Sequence, residues 1–276
     1  MEVKVLEKFK QYLNIECGFS ENTLLAYIRD IKQFLDFIKN KEIDIKIIHE
    51  YIKFLKMINL KNSSIKRKIA SIRTYIKFLD PKNEWINYIE SVKKENNNLN
   101  CLNENQIETL INKCANARDS LIIRLMAESG LRINEVVYLR VEDINLARQE
   151  IIIRKGKGGM DRIVPIKNNT ANLLGLHIAS LSDKSKNNIF LNHKNSIISR
   201  RNISNIIQRM CFKLGFKNTT SHTLRRSCAT NLLSKNIEID LISRLLGHKN
   251  IDSTQPYLIL DFEKLQKIHE KYHPRF

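Results

Sequence analysis

The stretch EIIIRKGKGGMDRIVPI, residues 150–166, decides the fold class of this chain. A β-branched run stands on each side of KGKGG, and two such runs joined by a glycine-rich turn read as an antiparallel hairpin. Glycine supplies the positive φ angles that such a turn uses. Almost everything around the hairpin has helical spacing instead. The expectation is a mainly α protein with a small antiparallel sheet, carried at one edge of an α+β second domain.

Upstream of the hairpin, RDSLIIRLMAESG (118–130) reads as a helix that stops at Gly130, a good C-terminal signal. Asn103 with Gln106 has the spacing of a capping box and opens another helix, NENQIETLINKC. Before it, KKENNNLNCLNEN (93–105) is polar, Asn-rich and without hydrophobic period, which is linker composition. The N-terminal part is patterned as four or five short helices. TLLAYIRDIKQFLDFI (23–38) sets Leu24, Ile28, Ile31, Leu35 and Ile38 at spacings of three and four, behind Ser20 as N-cap. IKIIHEYIKFLKMI (45–58) and SSIKRKIASIRTYIKFL (63–79) repeat the style, the second opening on Ser63 or Ser64, and Asp80-Pro81 closes it. From Asn168 the pattern is mostly helical to the end. The expected division is a helical domain at 1–94, a linker at 95–101 and a second domain at 102–276 that ends in a tail helix.

Charge narrows the function classes. The 276 residues hold 47 Lys and Arg against 29 Asp and Glu, a net charge of +18 with a pI near 9.7. Such an excess favours a polyanionic partner, without choosing among DNA, RNA and an anionic membrane. Residues 1–99 carry 19 basic against 13 acidic side chains, and residues 100–276 carry 28 against 16. Both halves are basic, which suits two lobes gripping one polyanion better than a basic tail. A hydrophobic fraction of 42% is enough for a core, and only 8 Gly and 4 Pro exclude a loop-rich or collagen-like chain. Cys17, Cys101, Cys114, Cys211 and Cys228 form no Cys-x-x-Cys pair and sit among apolar neighbours, so they read as buried reduced thiols. The opening MEVKVLEKFK has no leader character, and no apolar run approaches the ~18 residues of a membrane span. A soluble, cytoplasmic protein with no membrane partner is expected.

The chemistry lies in five fragments. SHTLRRS (221–227) puts His222 and Arg225 three positions apart at a helix start, on one helix face, where the N-terminus attracts anions. The others are SGLRINEV with Arg132, KGKGG with Lys157, LLGH with His248 and STQPY with Tyr257. Each has a bland reading when taken singly. Arg132 would be a solvated helix residue, KGKGG a basic turn and His248 a cap. Tyr257 would be a core tyrosine, as Tyr51, Tyr75, Tyr88 and Tyr138 are expected to be. The ordered set is another matter. His248 follows His222 by 26 residues and Tyr257 follows His248 by 9. In this order and spacing the chain resembles the tyrosine recombinase, or phage integrase, family of DNA strand-exchange enzymes, most closely the Xer type, over essentially its whole length.

The resemblance implies a fold and a mechanism. It implies a SAM-like helical core-binding domain and a tyrosine-recombinase catalytic domain that close as a C-shaped clamp on DNA. Arg132 and Arg225 would hold the non-bridging oxygens of the scissile phosphate by charge-assisted hydrogen bonds, where transition-state charge builds up. His222 would be the acid/base partner of the nucleophile, and His248 would steady the phosphate. Lys157, at the Gly-Lys-Gly turn, would protonate the leaving 5′-oxygen. Lys155 lies on the same strand face and could be confused with it. Tyr257 would attack and form a 3′-phosphotyrosyl intermediate, so no metal or other cofactor is expected. Glu135 would orient Arg132 from behind.

Partners follow from the same likeness. They are a double-stranded DNA recombination site, a homotetramer formed in the synaptic complex by tail exchange, and a DNA translocase or other accessory protein. The tail would use Leu258, Leu260, Phe262, Leu265 and Ile268 as its apolar face. The implied role is Xer-type resolution of chromosome or plasmid dimers. Integrase or invertase work for a mobile element, relaxation by a type IB topoisomerase, and DNA binding without catalysis are the alternatives. Pro256 and Leu258 depart from the family's usual residues around the nucleophile. Pro256 disfavours helix at Gln255 and can open a helix at its first turn, which bears on how Tyr257 reaches the phosphate.

Overall fold

The structure, a computed structural model, describes residues 2–39, 41–89, 100–154, 161–181 and 187–247. The chain divides into two compact units, Met1–Asn97 and Asn98–Phe276.

The first unit is helical. It contains α1 (Glu2–Ile15), α2 (Glu21–Ile38), α3 (Ile45–Met57) and α4 (Asn62–Leu79), followed by a short 3-10 turn at Trp85–Tyr88. The three-and-four spacing read in α2 is the buried stripe: Leu24, Ile31 and Ile38 are buried with Phe34, and Ile28 and Leu35 pack at its margin. Phe9, Phe34, Tyr51, Leu55, Ile65 and Ile72 close the core. Burying each such side chain is worth about 1.5–3 kcal/mol. Asp44 caps α3 by accepting from the Ile47 amide at 2.7 Å. Ser20 does stand at the N-cap of α2, but its hydroxyl bonds Thr23 Oγ1 at 3.0 Å and no backbone amide. Helix α4 begins at Asn62 behind Lys61, ahead of the two serines expected to open it, because neither serine is used as a cap.

The second unit is built around α6 (Ala117–Ala127). Leu121, Ile122, Ile123 and Leu125 are wholly buried, so this helix is apolar on nearly every side, as a central helix must be. Around it stand α5 (Glu104–Asn112), α7 (Ile133–Val137), α8 (Asn168–Ala179), α9 (Arg200–Lys213), α10 (Ser221–Leu233) and α11 (Ile239–Leu246). The expected capping box at α5 is present: Asn103 Oδ1 accepts from the Gln106 amide at 2.9 Å, and Gln106 Oε1 from the Asn103 amide at 3.0 Å. Helix α11 lies against α10 through Ile242, Leu246, Ala229 and Leu233.

The sheet has three strands in the order β1-β2-β3, all antiparallel. The hairpin is β2 (Glu150–Ile153) and β3 (Arg162–Pro165), in register Ile151↔Val164 and Ile153↔Arg162. Ile151, Ile153 and Val164 point into the core. The third strand, β1 (Ile144–Asn145), is only two residues long, too short for an alternating pattern to announce it. Among the described residues between α8 and α9 none is helical, although the pattern suggested helix there. Isolated bridges pair Arg140 with Asn188 and Leu191 with Ile197.

Three side-chain expectations are corrected. Tyr88 is 71% exposed and Tyr138 65% exposed, whereas Tyr51 and Tyr75 are buried. Tyr88 ends the 3-10 turn and Tyr138 follows α7, so their rings leave the packed face of each element. Of the cysteines, Cys211 and Cys228 are buried, while Cys17, Cys101 and Cys114 are only half-buried. Burial pushes the Cys228 thiol up to about 12, which leaves it unreactive at neutral pH. Among the described residues no helix is long and apolar enough to cross a membrane.

Candidate functional site

The site starts at a turn that only glycine can make. Gly130 ends the run after α6 with φ +66°, and a Cβ there would strike the Leu246 side chain of α11. The turn delivers Arg132 to the N-cap of α7. Glu135, three residues on, reaches back to it and accepts from it twice. The Arg132 amide donates to Glu135 Oε2 at 2.7 Å, and the Arg132 guanidinium to Oε1 at 2.8 Å. The expected support of Arg132 by Glu135 is therefore a direct, two-point contact.

A second arginine shares that carboxylate. Arg162, the first residue of β3, donates from both terminal nitrogens to Glu135 at 2.8 and 2.7 Å. A bidentate guanidinium pair of this kind fixes orientation as well as charge. The Glu135 side chain is only 9% exposed. Burial alone would raise its pKa. The hydrogen bonds and charge of Arg162, with the amide and side chain of Arg132, outweigh that and lower it to about 2. Sequence reading missed Arg162, whose partner Glu135 lies 27 residues away. The only local hint was a long basic side chain opening a strand otherwise made of core-facing and β-branched residues.

Arg225 comes from α10. Thr220 caps that helix, and Thr220 and Thr223 form a capping box, so the turn carrying His222 and Arg225 is held at its start. His222 is exposed and Arg225 buried. The helix face they share runs from solvent into the protein. The His222 pKa is lowered by desolvation first and then by the positive charge of Arg225, Arg226 and Arg132. The charges of Arg225, Arg226 and Arg132 all act on the imidazole, which puts it in the field of the arginine cluster.

The cluster converges on one helix end. Arg162 Nε donates to the Leu245 carbonyl at 3.0 Å, Arg225 to the Leu246 carbonyl, and Arg132 to the Gly247 carbonyl at 2.8 Å. Arg225 also bonds the Gly130 carbonyl, tying the first turn of the site to the last. Three successive carbonyls at the C-terminus of α11 thus face three guanidiniums from three separate elements. The helix end carries partial negative charge, so cations are favoured there. Gly247 closes α11 in the left-handed region at φ +62°, and a Cβ would lie 2.9 Å from Arg162 Cδ. Arg132 keeps 23% of its side chain exposed. Guanidiniums held this way can present donors to a tetrahedral anion without first reorganising.

Lys157, His248 and Tyr257 lie outside the described residues, as do Pro256, Leu258 and the tail. What flanks them is described. Ile153 and Arg162 are register partners at the open end of the hairpin that leads to Lys157. Arg154 anchors the neighbouring position, donating from Nε to the buried Asp143 at 2.7 Å. Gly247 immediately precedes His248. The structure therefore brings together Arg132, Glu135 and Arg225, sets His222 in their field, and adds Arg162.

Comparison with known proteins identifies the family. The sequence matches the phage integrase family over residues 100–264, and the N-terminal SAM-like domain of phage integrases over residues 6–83. It is 30% identical to tyrosine recombinase XerD of Oceanobacillus iheyensis, with 98% of each chain covered. It is 32% identical to a tyrosine recombinase of Pseudothermotoga lettingae, covering 97% of this chain and 98% of that one. Among solved structures, the XerA recombinase superposes with a TM-score of 0.57 at 26% identity, over 99% of this chain and 100% of that one. The XerH site-specific recombinase bound to palindromic difH substrate superposes with a TM-score of 0.80 at 21% identity, over 98% and 84%.

Proposed function

The chain belongs to the phage integrase family and is a site-specific tyrosine recombinase; from that premise we propose a catalytic set of Arg132, Lys157, His222, Arg225, His248 and Tyr257, positioned by Glu135, and an Xer-type role in resolving chromosome or plasmid dimers. Residues 1–94 serve as the core-binding domain and residues 102–276 as the catalytic domain, both on the DNA duplex. The homotetramer at synapsis and an accessory protein such as a DNA translocase belong to the same proposal.

In this mechanism Tyr257 Oη attacks the scissile phosphorus in line while His222 accepts the phenol proton. The bond from phosphorus to the 5′-oxygen breaks, and Lys157 gives that oxygen a proton. The product is a 3′-phosphotyrosine and a free 5′-hydroxyl. Attack by a 5′-hydroxyl from another strand reverses each transfer and restores the phenol. Arg132 and Arg225 stabilise charge on the non-bridging oxygens, and His248 donates to the same phosphate. One phosphodiester is exchanged for another, so no external energy source is needed. A free phenol has a pKa of ~10, so the surrounding cations must favour the phenolate for attack at neutral pH.

The observation that carries this reading is the meeting of Arg132 and Arg225 on adjacent carbonyls of one helix end, with Arg132 115 positions from its partner Gly247. The test is a nicked suicide substrate containing the host's recombination site. Wild-type protein traps a covalent protein–DNA adduct, and Tyr257→Phe traps none. Tight binding without adduct from wild-type protein would leave only a DNA-binding regulator. Affinity for the site should also fall steeply with salt, by about 10³-fold between 50 and 200 mM if about six phosphates are neutralised. A flat salt response in a binding titration would contradict a grip on the DNA backbone.

A further inference from the structure

We propose that Arg162 is a positioning residue for strand cleavage, holding Glu135 against Arg132 and fixing the Gly247 turn from which the chain runs to His248. The proposal rests on the tyrosine-recombinase mechanism above and extends it to a residue outside the catalytic set. Arg162 reaches two parts of the site with one side chain. Its terminal nitrogens take both oxygens of Glu135, and its Nε takes the Leu245 carbonyl. Its nitrogens are taken up by Glu135 and the Leu245 carbonyl, so it acts on the site through them and not by contact with a DNA phosphate. Gly247 packs on its stem so closely that any Cβ would have to displace the arginine.

The arrangement has a chemical consequence. Arg132 reaches both oxygens of Glu135 by its own amide and side chain, and a second partner from another element ties that carboxylate to the rest of the site. Arg162 supplies that partner and also carries the first position of β3, at the base of the segment that contains Lys157. Three functional segments therefore meet at one guanidinium: the Arg132 turn, the strand leading from Lys157, and the helix end leading to His248. Lysine cannot replace it, because a single ammonium lacks the planar fork that spans a carboxylate and a carbonyl together.

The experiment measures single-turnover adduct formation on the suicide substrate at saturating protein, with DNA affinity measured in parallel. Arg162→Lys and Arg162→Gln are each expected to slow adduct formation by about 10- to 100-fold, the cost of small misplacement of catalytic groups. DNA affinity should stay within about threefold, since the side chain faces no phosphate. A pH profile separates positioning from bulk stability. With Arg162→Gln the carboxylate loses its main charge partner, so the adduct rate should fall more steeply from pH 8 to 5 than in wild type. That added fall should vanish in Arg162→Gln/Glu135→Gln. A rate for Arg162→Lys within twofold of wild type overturns the proposal, as does an unchanged pH profile. Loss of folding in both single variants, seen by circular dichroism, would make Arg162 a structural support and overturn it too. Absence of adduct from the wild-type protein would instead strike the proposed mechanism itself.

Discussion

Asp30 in the N-terminal unit and Glu135 in the second are both buried carboxylates shared by two basic side chains, yet the two arrangements end differently. Asp30, on α2, accepts from Arg67 and from Lys68 at 3.0 Å, both on α4, and Lys68 also donates to Gln33 of α2. The network closes on the two helices it joins. Glu135 accepts from Arg132 and Arg162, and those arginines go on to bond the carbonyls that end α11. One network pins a pair of helices. The other joins the Arg132 turn, β3 and the end of α11, the segments that lead to the reacting groups we propose, and Arg132 stays 23% exposed. The same chemical unit is structural where its donors return to the helices they join, and we propose it as functional where they run on to a helix end.

The sharpest way to break this contrast is to neutralise each carboxylate. Removing one partner of a buried pair costs about 3–5 kcal/mol, so Asp30→Asn and Glu135→Gln should both lower stability in urea unfolding. Only Glu135→Gln should slow adduct formation in the folded, DNA-saturated enzyme, by about 100-fold, with Asp30→Asn within about threefold of wild type. Equal losses of rate would dissolve the distinction.

Acid sharpens it next. Glu135 is depressed to about 2 in the folded protein, from an ordinary carboxylate value near 4.5. Its contribution to stability is therefore present above the unfolded value and lost as pH falls through about 5 toward 2. The shift corresponds to about 3 kcal/mol at neutral pH. The stability gap between wild type and Glu135→Gln should narrow over that window in unfolding curves recorded at successive pH values. A constant gap would mean that the arginines do not hold the charged form.

Two glycines give a smaller comparison. Gly18 and Gly247 both have left-handed backbone, at φ +60° and +62°, but only Gly247 has a neighbour within reach of a Cβ. Gly18→Ala should cost about 1 kcal/mol of backbone strain. Gly247→Ala should cost about 2 kcal/mol more and slow adduct formation, since Arg162 must move. The smallest effect is at the caps. Asn103→Ala removes a true capping box and should cost about 1 kcal/mol, while Ser20→Ala, whose hydroxyl caps no amide, should cost a few tenths. Thermal melts of the four variants rank these directly.

Local physics made much of this legible in the sequence. The period of α2, the box at Asn103, the hairpin of β2 and β3 and the helix start near Ser221 each depend on residues close together in the chain, and each was readable. The likeness in order and spacing drew Arg132, His222 and Arg225 together, and Glu135 followed from its position three residues after Arg132. Arg162 was not legible, because a bidentate contact between a strand and a distant short helix leaves no periodic trace. Tyr88 and Tyr138 were misread for the opposite reason. Apolar neighbours such as Leu139 suggested burial, but the turn geometry at each element's end points the ring outward.

The hold on the last turn of α11 has a consequence for how this protein can vary. One residue added to or lost from that eight-residue helix would shift its end by about 1.5 Å and swing it by about 100°. Leu245, Leu246 and Gly247 would then no longer present their oxygens to the guanidiniums. Changes in length between α10 and α11 would leave that alignment intact. Homologous chains should accordingly tolerate insertions in the loop before α11 and almost none within it, a signature visible in gap positions alone.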